Sequence, residues 1–278
     1  MSRQSRKNFC ILTFDVEEWY HGAYPGYDYS MVSDAPVRVV EMVERIVSLL
    51  REFGAGATFF VLGEVAEKYP QVVRTIAGAG FEVASHSYTH TLIPPQGREG
   101  FAEQLVRSKC LLEDLSGQSV VGFRAPNFSI SPQETPWAFE VLEGEGFLYD
   151  SSVFPAVAYY GGNPGAPRFI HKIGNLVEFP PSAMSIFGVK VAFSGGFYFR
   201  ALPLWIIEAG IRSYHRRGET PVLYLHPKDI DPHTPPLPLG WIANFVHRGR
   251  AKSGLAKFVR LLKKYRFISI REFLDISR

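Results

Sequence analysis

The first hydrophobic signal is a near-continuous apolar run, Phe9–Phe14, which stops at Asp15. Such a run suits a strand covered on both faces of its sheet. The period then changes. Val39, Val43, Ile46, Leu50 and Phe53 recur at helical spacing through 37–53, and Gly54 follows as a stop. The two periods keep alternating. Further strands are predicted at 57–62, 81–85, 120–124, 147–149, 176–179 and 221–225. Helices are predicted at 70–79, 100–115 and 203–216, and again near 241–245 and 255–264. Ser131-Pro132-Gln133-Glu134 reads as a capping box that opens a helix to about Glu145. The stretch 151–170 is rich in Gly, Pro and Tyr, has no period, and reads as a long loop. Seven strands alternating with helices predict an α/β fold, a closed or nearly closed (β/α) barrel. The expected organisation is one domain, a core of about 9–232 followed by a C-terminal helical extension of about 233–278.

Composition narrows the function without choosing it. Of the 278 residues, 46% are hydrophobic and 21% charged, which excludes a disordered or fibrous chain. Thirty basic against 27 acidic residues leave +3, so no strongly electrostatic partner such as nucleic acid is expected. The densest basic stretch, from Arg248 to Arg266, coincides with a helical pattern and reads as a solvated helix face. Cys10 and Cys110 form neither a disulfide framework nor a metal-ligand spacing. Both read as buried thiols in a reducing compartment. No stretch reaches the roughly 18–20 apolar residues of a membrane span, and 9–14 is too short for a signal sequence, so a cytoplasmic protein is the default expectation.

In barrels of this kind the chemistry collects at the C-terminal strand ends, and those ends are unusually polar here. Strand one ends in Asp15-Val16-Glu17, strand three in His86 with His90 following, strand four in Arg124, strand five in Asp150, strand six in Glu178 and strand seven in His226. Residues two apart on a strand point the same way, so Asp15 and Glu17 share a face. His86 and His90 stand four apart, a spacing that suits one helical turn binding one ion. With Glu17 they make a two-histidine, one-carboxylate set with an open position, the kind that holds a water-activating metal. Glu18 and His21 are alternate ligands by position, with a capping or loop role the better reading. His171, His215, His233 and His247 lack partners in the pattern and are expected at the surface. Trp19, Tyr20, Tyr88, Phe128, Tyr159, Tyr160, Phe197 and Tyr198 fall near the proposed loops, and their rings suit sugars. Gly195-Gly196 reads as a tight turn.

Five spaced motifs carry a resemblance. They are Thr13-Phe14-Asp15-Val16-Glu17, 57–63, Ser85-His86-Ser87-Tyr88-Thr89-His90, Gly122-Phe123-Arg124-Ala125-Pro126 and Leu223-Tyr224-Leu225-His226-Pro227. In this order they resemble the polysaccharide deacetylases of the NodB-like, carbohydrate esterase 4 type. The stretches 147–155, 195–200 and 226–232 resemble the exosortase-associated Asp-Val-Glu subgroup, which would tie the chain to exopolysaccharide biosynthesis. The resemblance implies a distorted seven-stranded (β/α) barrel and one divalent metal ion, usually Zn2+ with Co2+ or Ni2+ as substitutes. It also implies removal of N-acetyl groups from an amino-sugar polysaccharide or a lipid-linked glycan. By position, Asp15 matches the general base, His86 and His90 the metal histidines, Arg124 the arginine that orients the base, and His226 the general acid. Two departures stand out. Val16 replaces a second aspartate that binds metal in many members, leaving Glu17 as the substitute. Asp150 is not followed by tryptophan, so the group that orients His226 is Asp150, Asp229 or neither. The alternatives are an amidohydrolase of the same fold that opens a small cyclic amide or ureide, and a non-catalytic glycan-binding barrel.

Overall fold

Every residue of the first apolar run is buried, and it forms the predicted strand extended to β1 (Phe9–Val16). The computed structural model describes residues 9–22, 24, 26–32, 35–156 and 162–277. After β1 come α1 (Val39–Glu52), β2 (Thr58–Val61), α2 (Gly63–Lys68), α3 (Pro70–Gly78) and β3 (Glu82–Ser85). Then follow α4 (Gly97–Ser116), β4 (Gly122–Phe123), α5 (Pro136–Gly144), β5 (Tyr149–Asp150), β6 (His171–Ile173) and β7 (Leu176–Glu178). A hairpin, β8 (Ala183–Ile186) and β9 (Val189–Ala192), precedes α6 (Gly196–Ala201), α7 (Leu204–Arg216) and β10 (Val222–Leu225). The chain ends with α8 (Trp241–Arg248), α9 (Ala251–Lys264), β11 (Arg266–Ile268) and α10 (Ile270–Ser277).

The seven predicted strands line up in the order β10-β1-β2-β3-β4-β5-β7, every pair parallel. The sheet curls into a barrel that no strand ladder completes. Beyond β7, Ser182 instead donates its N–H to the Val222 carbonyl at 3.0 Å and accepts the Val222 N–H on Oγ at 2.8 Å. Alternation along β1 sorts the core into two layers. Cys10, Leu12, Phe14 and Val16 join the large cluster beneath the helices, where Phe14 stacks on Phe59 at 5.1 Å. Phe9 and Ile11 face the barrel interior with Phe60, Ala84, Tyr149 and Phe179. Each fully buried side chain of this size contributes about 1.5–3 kcal/mol, so a one-residue slip of β1 would forfeit both layers.

The C-terminal segment does more than its helical pattern predicts. Its three-residue strand β11 pairs with the start of β1, and Ile268 and Ile270 at the head of α10 close the barrel's lower end. Here the buried Glu82 accepts hydrogen bonds from Thr58 Oγ1 at 2.6 Å, Tyr149 OH at 2.8 Å and the Arg271 N–H at 3.0 Å. Two sequence readings need correction. Ser131 Oγ does accept the Glu134 N–H at 3.2 Å, but this closes a turn, and the helix begins only at Pro136. Cys10 is buried, whereas Cys110 is exposed because α4 turns Phe101, Leu105, Ser108 and Leu112 inward and position 110 lies off that stripe. Among the described residues no helix is long and apolar enough to cross a membrane.

Strand β4 leaves no room for a side chain at Gly122, where a Cβ would lie 1.9 Å from Tyr149 Cζ. The tyrosine cannot retreat without leaving Glu82. Gly122→Ala is therefore expected to destabilise the fold by about 1–3 kcal/mol, read as a lower urea midpoint. An unchanged midpoint would show that the strand shifts freely.

Candidate active site

The interior row of β1 continues upward from Phe9 and Ile11 through Thr13 and Asp15 to Glu17, so two carboxylates arrive on one side. They are 2% and 3% exposed. Arg124, just beyond β4 and with no exposed surface, meets the first of them. Its Nη1 donates to Asp15 Oδ1 at 2.6 Å and to Thr13 Oγ1 at 2.8 Å. Its Nη2 and Nε donate to Ser151 Oγ at 2.6 Å and the Ser151 carbonyl at 3.1 Å. The guanidinium lies 4.2 Å over the Phe60 ring. A buried charge requires such pairing. Asp15 Oδ2 is left toward His226, whose Nε2 stands 3.8 Å away.

Past β3 the chain turns at Ser87, in the left-handed region at φ +67°, and presents two imidazoles. His86 Nδ1 donates to the Arg124 carbonyl at 2.8 Å, which leaves its Nε2 with a free lone pair. Burial lowers its pKa to about 4, so the ring is neutral near pH 7. Glu17, His86 and His90 each offer one ligand atom, and these lie within 4.8 Å of one another. His90 Nε2 stands 2.6 Å from Glu17 Oε2, yet that oxygen, though buried, lacks a properly directed hydrogen bond. An orphaned carboxylate oxygen between two imidazoles fits a divalent cation. The other oxygen, Oε1, accepts from Lys228 Nζ at 2.9 Å. Burial opposes ionisation of Glu17, but Lys228 and His90 outweigh it and hold its pKa well below the carboxylate range.

His226 follows β10 and is held by its own turn. Its Nδ1 donates to Asp229 Oδ2 at 2.8 Å, and its backbone N–H donates to the same oxygen at 2.8 Å. Arg200 Nε donates to Asp229 Oδ1 at 2.7 Å. Burial alone would depress the His226 pKa, but the adjacent Asp229 charge and hydrogen bond raise it above the ordinary value. Asp229 is correspondingly held below the carboxylate range despite its burial. Gly195 lets the α6 turn approach this strand, since a Cβ there would meet the Tyr224 carbonyl at 1.9 Å. Asp15, Glu17, His86, His90, His226, Lys228 and Asp229 line one cavity of about 540 Å³, walled by Phe128, Phe154, Phe197, Tyr198 and Tyr224, with Arg124 buried behind it.

Asp15, Glu17, His86, His90, Arg124 and His226 thus converge, and Asp150 does not join them. Its carboxylate accepts from the Ser152 hydroxyl at 2.6 Å and the Ser152 N–H at 3.1 Å, beside the buried Glu178, its neighbour in the β5–β7 register. Asp229 is the residue that orients His226. Glu18 takes the capping role. Its Oε1 accepts the N–H groups of Arg38 and Val39 at 2.8 and 2.9 Å, at the start of α1. His21 uses Nδ1 to accept the Glu18 N–H at 3.1 Å. His247, expected at the surface, is 1% exposed and lines the cavity. Tyr159 and Tyr160 lie outside the described residues. The side chains of two contributors had no role assigned from the sequence. Lys228 lies within the 226–232 stretch but reaches Glu17 only through the fold, and Asn127, at φ +53°, lines the cavity with an unpaired buried Nδ2.

Residues 3–136 match the family model of polysaccharide deacetylases, and residues 151–275 match a domain of unknown function (DUF3473). A peptidoglycan-N-acetylglucosamine deacetylase of Bacillus cereus is 31% identical over 101 residues, 36% of this chain and 37% of that one. The chain spans about a third of the length of the curated relatives it matches. A solved structure from Mycobacterium smegmatis, assigned provisionally as a polysaccharide deacetylase, has a TM-score of 0.64 at 22% identity and covers 97% of this chain and 90% of its own. Puue allantoinase has a TM-score of 0.62 at 17% identity, covering 98% and 90%. At these identities the two structures speak for the fold alone. The family model and the curated relative together support kinship with the polysaccharide deacetylases.

The Asp150–Glu178 pair makes a pH prediction. Burial raises both pKa values, Glu178 well above the carboxylate range, with the Asp150 charge adding to its shift. The folded chain then holds protons that the unfolded chain releases, so stability falls as pH rises from the ordinary carboxylate range through the raised values. Glu178→Gln, neutral at every pH, is expected to flatten that fall in urea midpoints measured from about pH 4 to 8. An equal slope in both proteins would remove the pair as its source.

Proposed function

We propose that the chain is a metal-dependent N-deacetylase acting on N-acetyl groups of an amino-sugar glycan, either a polysaccharide or a lipid-linked intermediate. The observation that carries this reading is the convergence of three groups on one cavity floor. Glu17, His86 and His90 share the cavity with Asp15, which Arg124 holds, and with His226, which Asp229 holds. The names of curated relatives, peptidoglycan-N-acetylglucosamine deacetylase and chitooligosaccharide deacetylase, support it. The stretches 147–155, 195–200 and 226–232 favour the exosortase-associated subgroup, and with it exopolysaccharide biosynthesis.

Glu17, His86 and His90 would hold the ion, Zn2+ in our reading. When bound, such an ion polarises an acyl oxygen and makes water more acidic. The chain's own residues do the rest. Asp15 Oδ2 takes a proton from water as its oxygen attacks the acyl carbon, and Arg124 on Oδ1 fixes the carboxylate's orientation. The Asn127 amide offers a donor to an acyl oxygen or a sugar hydroxyl. His226 gives its Nε2 proton to the amine as the C–N bond breaks, releasing acetate and a free amino sugar. Its raised pKa keeps that proton available at a higher pH than an ordinary imidazole could. The aromatic walls suit the apolar faces of sugar rings.

Metal-loaded protein is expected to release acetate from N-acetylglucosamine oligomers or lipid-linked glycans. Asp15→Asn should retain metal and lose turnover. His226→Ala should lose roughly 10²–10⁴-fold on the amide and far less on an aryl ester that needs no protonated leaving group. Hydrolysis of a cyclic ureide with no acetate from any glycan would move the chain to the amidohydrolase reading. Lys228→Met should lower Zn2+ affinity about 10–100-fold in a chelator competition, because it releases the oxygen that orients Glu17. Unaltered affinity would assign Lys228 to charge balance alone.

A further inference from the structure

Helix α8 is amphipathic the wrong way round for a core helix. His247 is its one buried residue, whereas Trp241, Ile242 and Phe245 are 81%, 61% and 48% exposed. Trp241, Phe245 and Arg248 stand at i, i+4 and i+7, on one face of the helix. Arg250 and Lys252 follow, both exposed, and a surface depression of about 600 Å³ joins them to the aromatic pair. The charge around this face has one sign. The depression is lined by Arg248, Arg250 and Lys252 and by no Asp or Glu. Other cations of the following helix are spent locally. Lys257 caps the carbonyls of Phe199, Arg200 and Leu202, and Lys264 pairs with Glu208. Arg248 and Arg250 reach only backbone carbonyls, of Thr234 and Ala201, which leave their charge uncompensated.

We propose that this face of α8 docks on an anionic lipid bilayer surface, lying in the interface without crossing it. Aromatic and branched apolar side chains beside exposed Arg and Lys are the composition that settles at the headgroup boundary. Clustered cations on such a helix are drawn to anionic leaflets. A soluble helix has no reason to hold Trp241 and Ile242 in water together. The back of the same helix meets the catalytic cavity, since Val246 and His247 line it. Docking would therefore hold the cavity close to a membrane. That fits a lipid-linked substrate if the deacetylase reading holds, although the docking itself does not depend on that reading.

The test is co-sedimentation of the full chain, with and without added Zn2+, on vesicles of phosphatidylcholine alone or mixed with phosphatidylglycerol. Pelleting is expected on the anionic vesicles, with tryptophan emission shifting to the blue, and is expected to fade at high salt. Trp241→Ser with Ile242→Ser, and separately Arg250→Glu with Lys252→Glu, should each reduce bound protein about ten-fold or more. Far-UV circular dichroism and the thermal midpoint show that the variants are folded. Equal binding to both vesicle types, or no loss in either folded variant, would overturn the proposal. Sedimentation velocity of the free chain provides a second arm. A dimer abolished by the same substitutions would assign the face to a second copy and also overturn it. Because binding is read without turnover, a failed deacetylase assay leaves this result standing, and the reverse also holds.

Discussion

The guanidinium of Arg124 is the charge around which the barrel's upper end is arranged. It has no contact with water, so every donor must find an acceptor within the protein. It finds them on separate strands, at Thr13 and Asp15 on β1 and at Ser151 just past β5. Ser151 passes the connection on through its hydroxyl to the Phe179 carbonyl beyond β7. The residue's own carbonyl accepts from His86. Asp15, His86 and the curvature of the barrel are therefore coupled through one residue. A displacement of any of these strands would leave a buried charge incompletely paired, which costs far more than the loss of a surface contact.

A second arrangement divides labour between the oxygens of single carboxylates. Asp15 gives one oxygen to Arg124 and turns the other toward His226. Glu17 gives one to Lys228 and turns the other toward His90. Asp229 gives one to Arg200 and the other to His226. Each acid has a cation fixing its orientation and a second oxygen facing its task. This is how a site rich in acids remains ordered inside a core, because fixed pairing replaces the water that would otherwise solvate them.

What the sequence made legible follows from periodicity. The strict alternation of β1 placed Asp15 and Glu17 together, whereas His86 and His90 meet not through the helical turn their spacing suggested but through a left-handed turn at Ser87. The parallel strands were visible because both faces are buried, which leaves apolar runs that no helix period explains. The short pieces were not legible. Strand β11 is three residues long and takes its identity only from pairing with β1. Asp229 sits in a single 3-10 turn, and only the fold could choose it over Asp150 as the partner of His226. Lys228 resembles any surface lysine until the loop after β10 folds it onto Glu17. His247 appeared isolated because its surroundings come from elements far away in the chain.

The central position of β1 also has a kinetic side. Thr13 Oγ1 donates to the carbonyl of Leu223, 210 residues later, and the start of β1 pairs with β11 later still. During synthesis β1 therefore emerges about 200 residues before β10 and longer still before β11. Until β10 is made, β1 has β2 available on one edge and lacks its partner on the other. Loop-closure entropy must be met before those distant pairings reward it, so folding is slow and the unpaired edge is a place where nascent copies can associate. The architecture that gathers the acids, imidazoles and arginine at one end thus leaves one edge of β1 unpaired until β10 has been made, and its start incompletely paired until β11 follows.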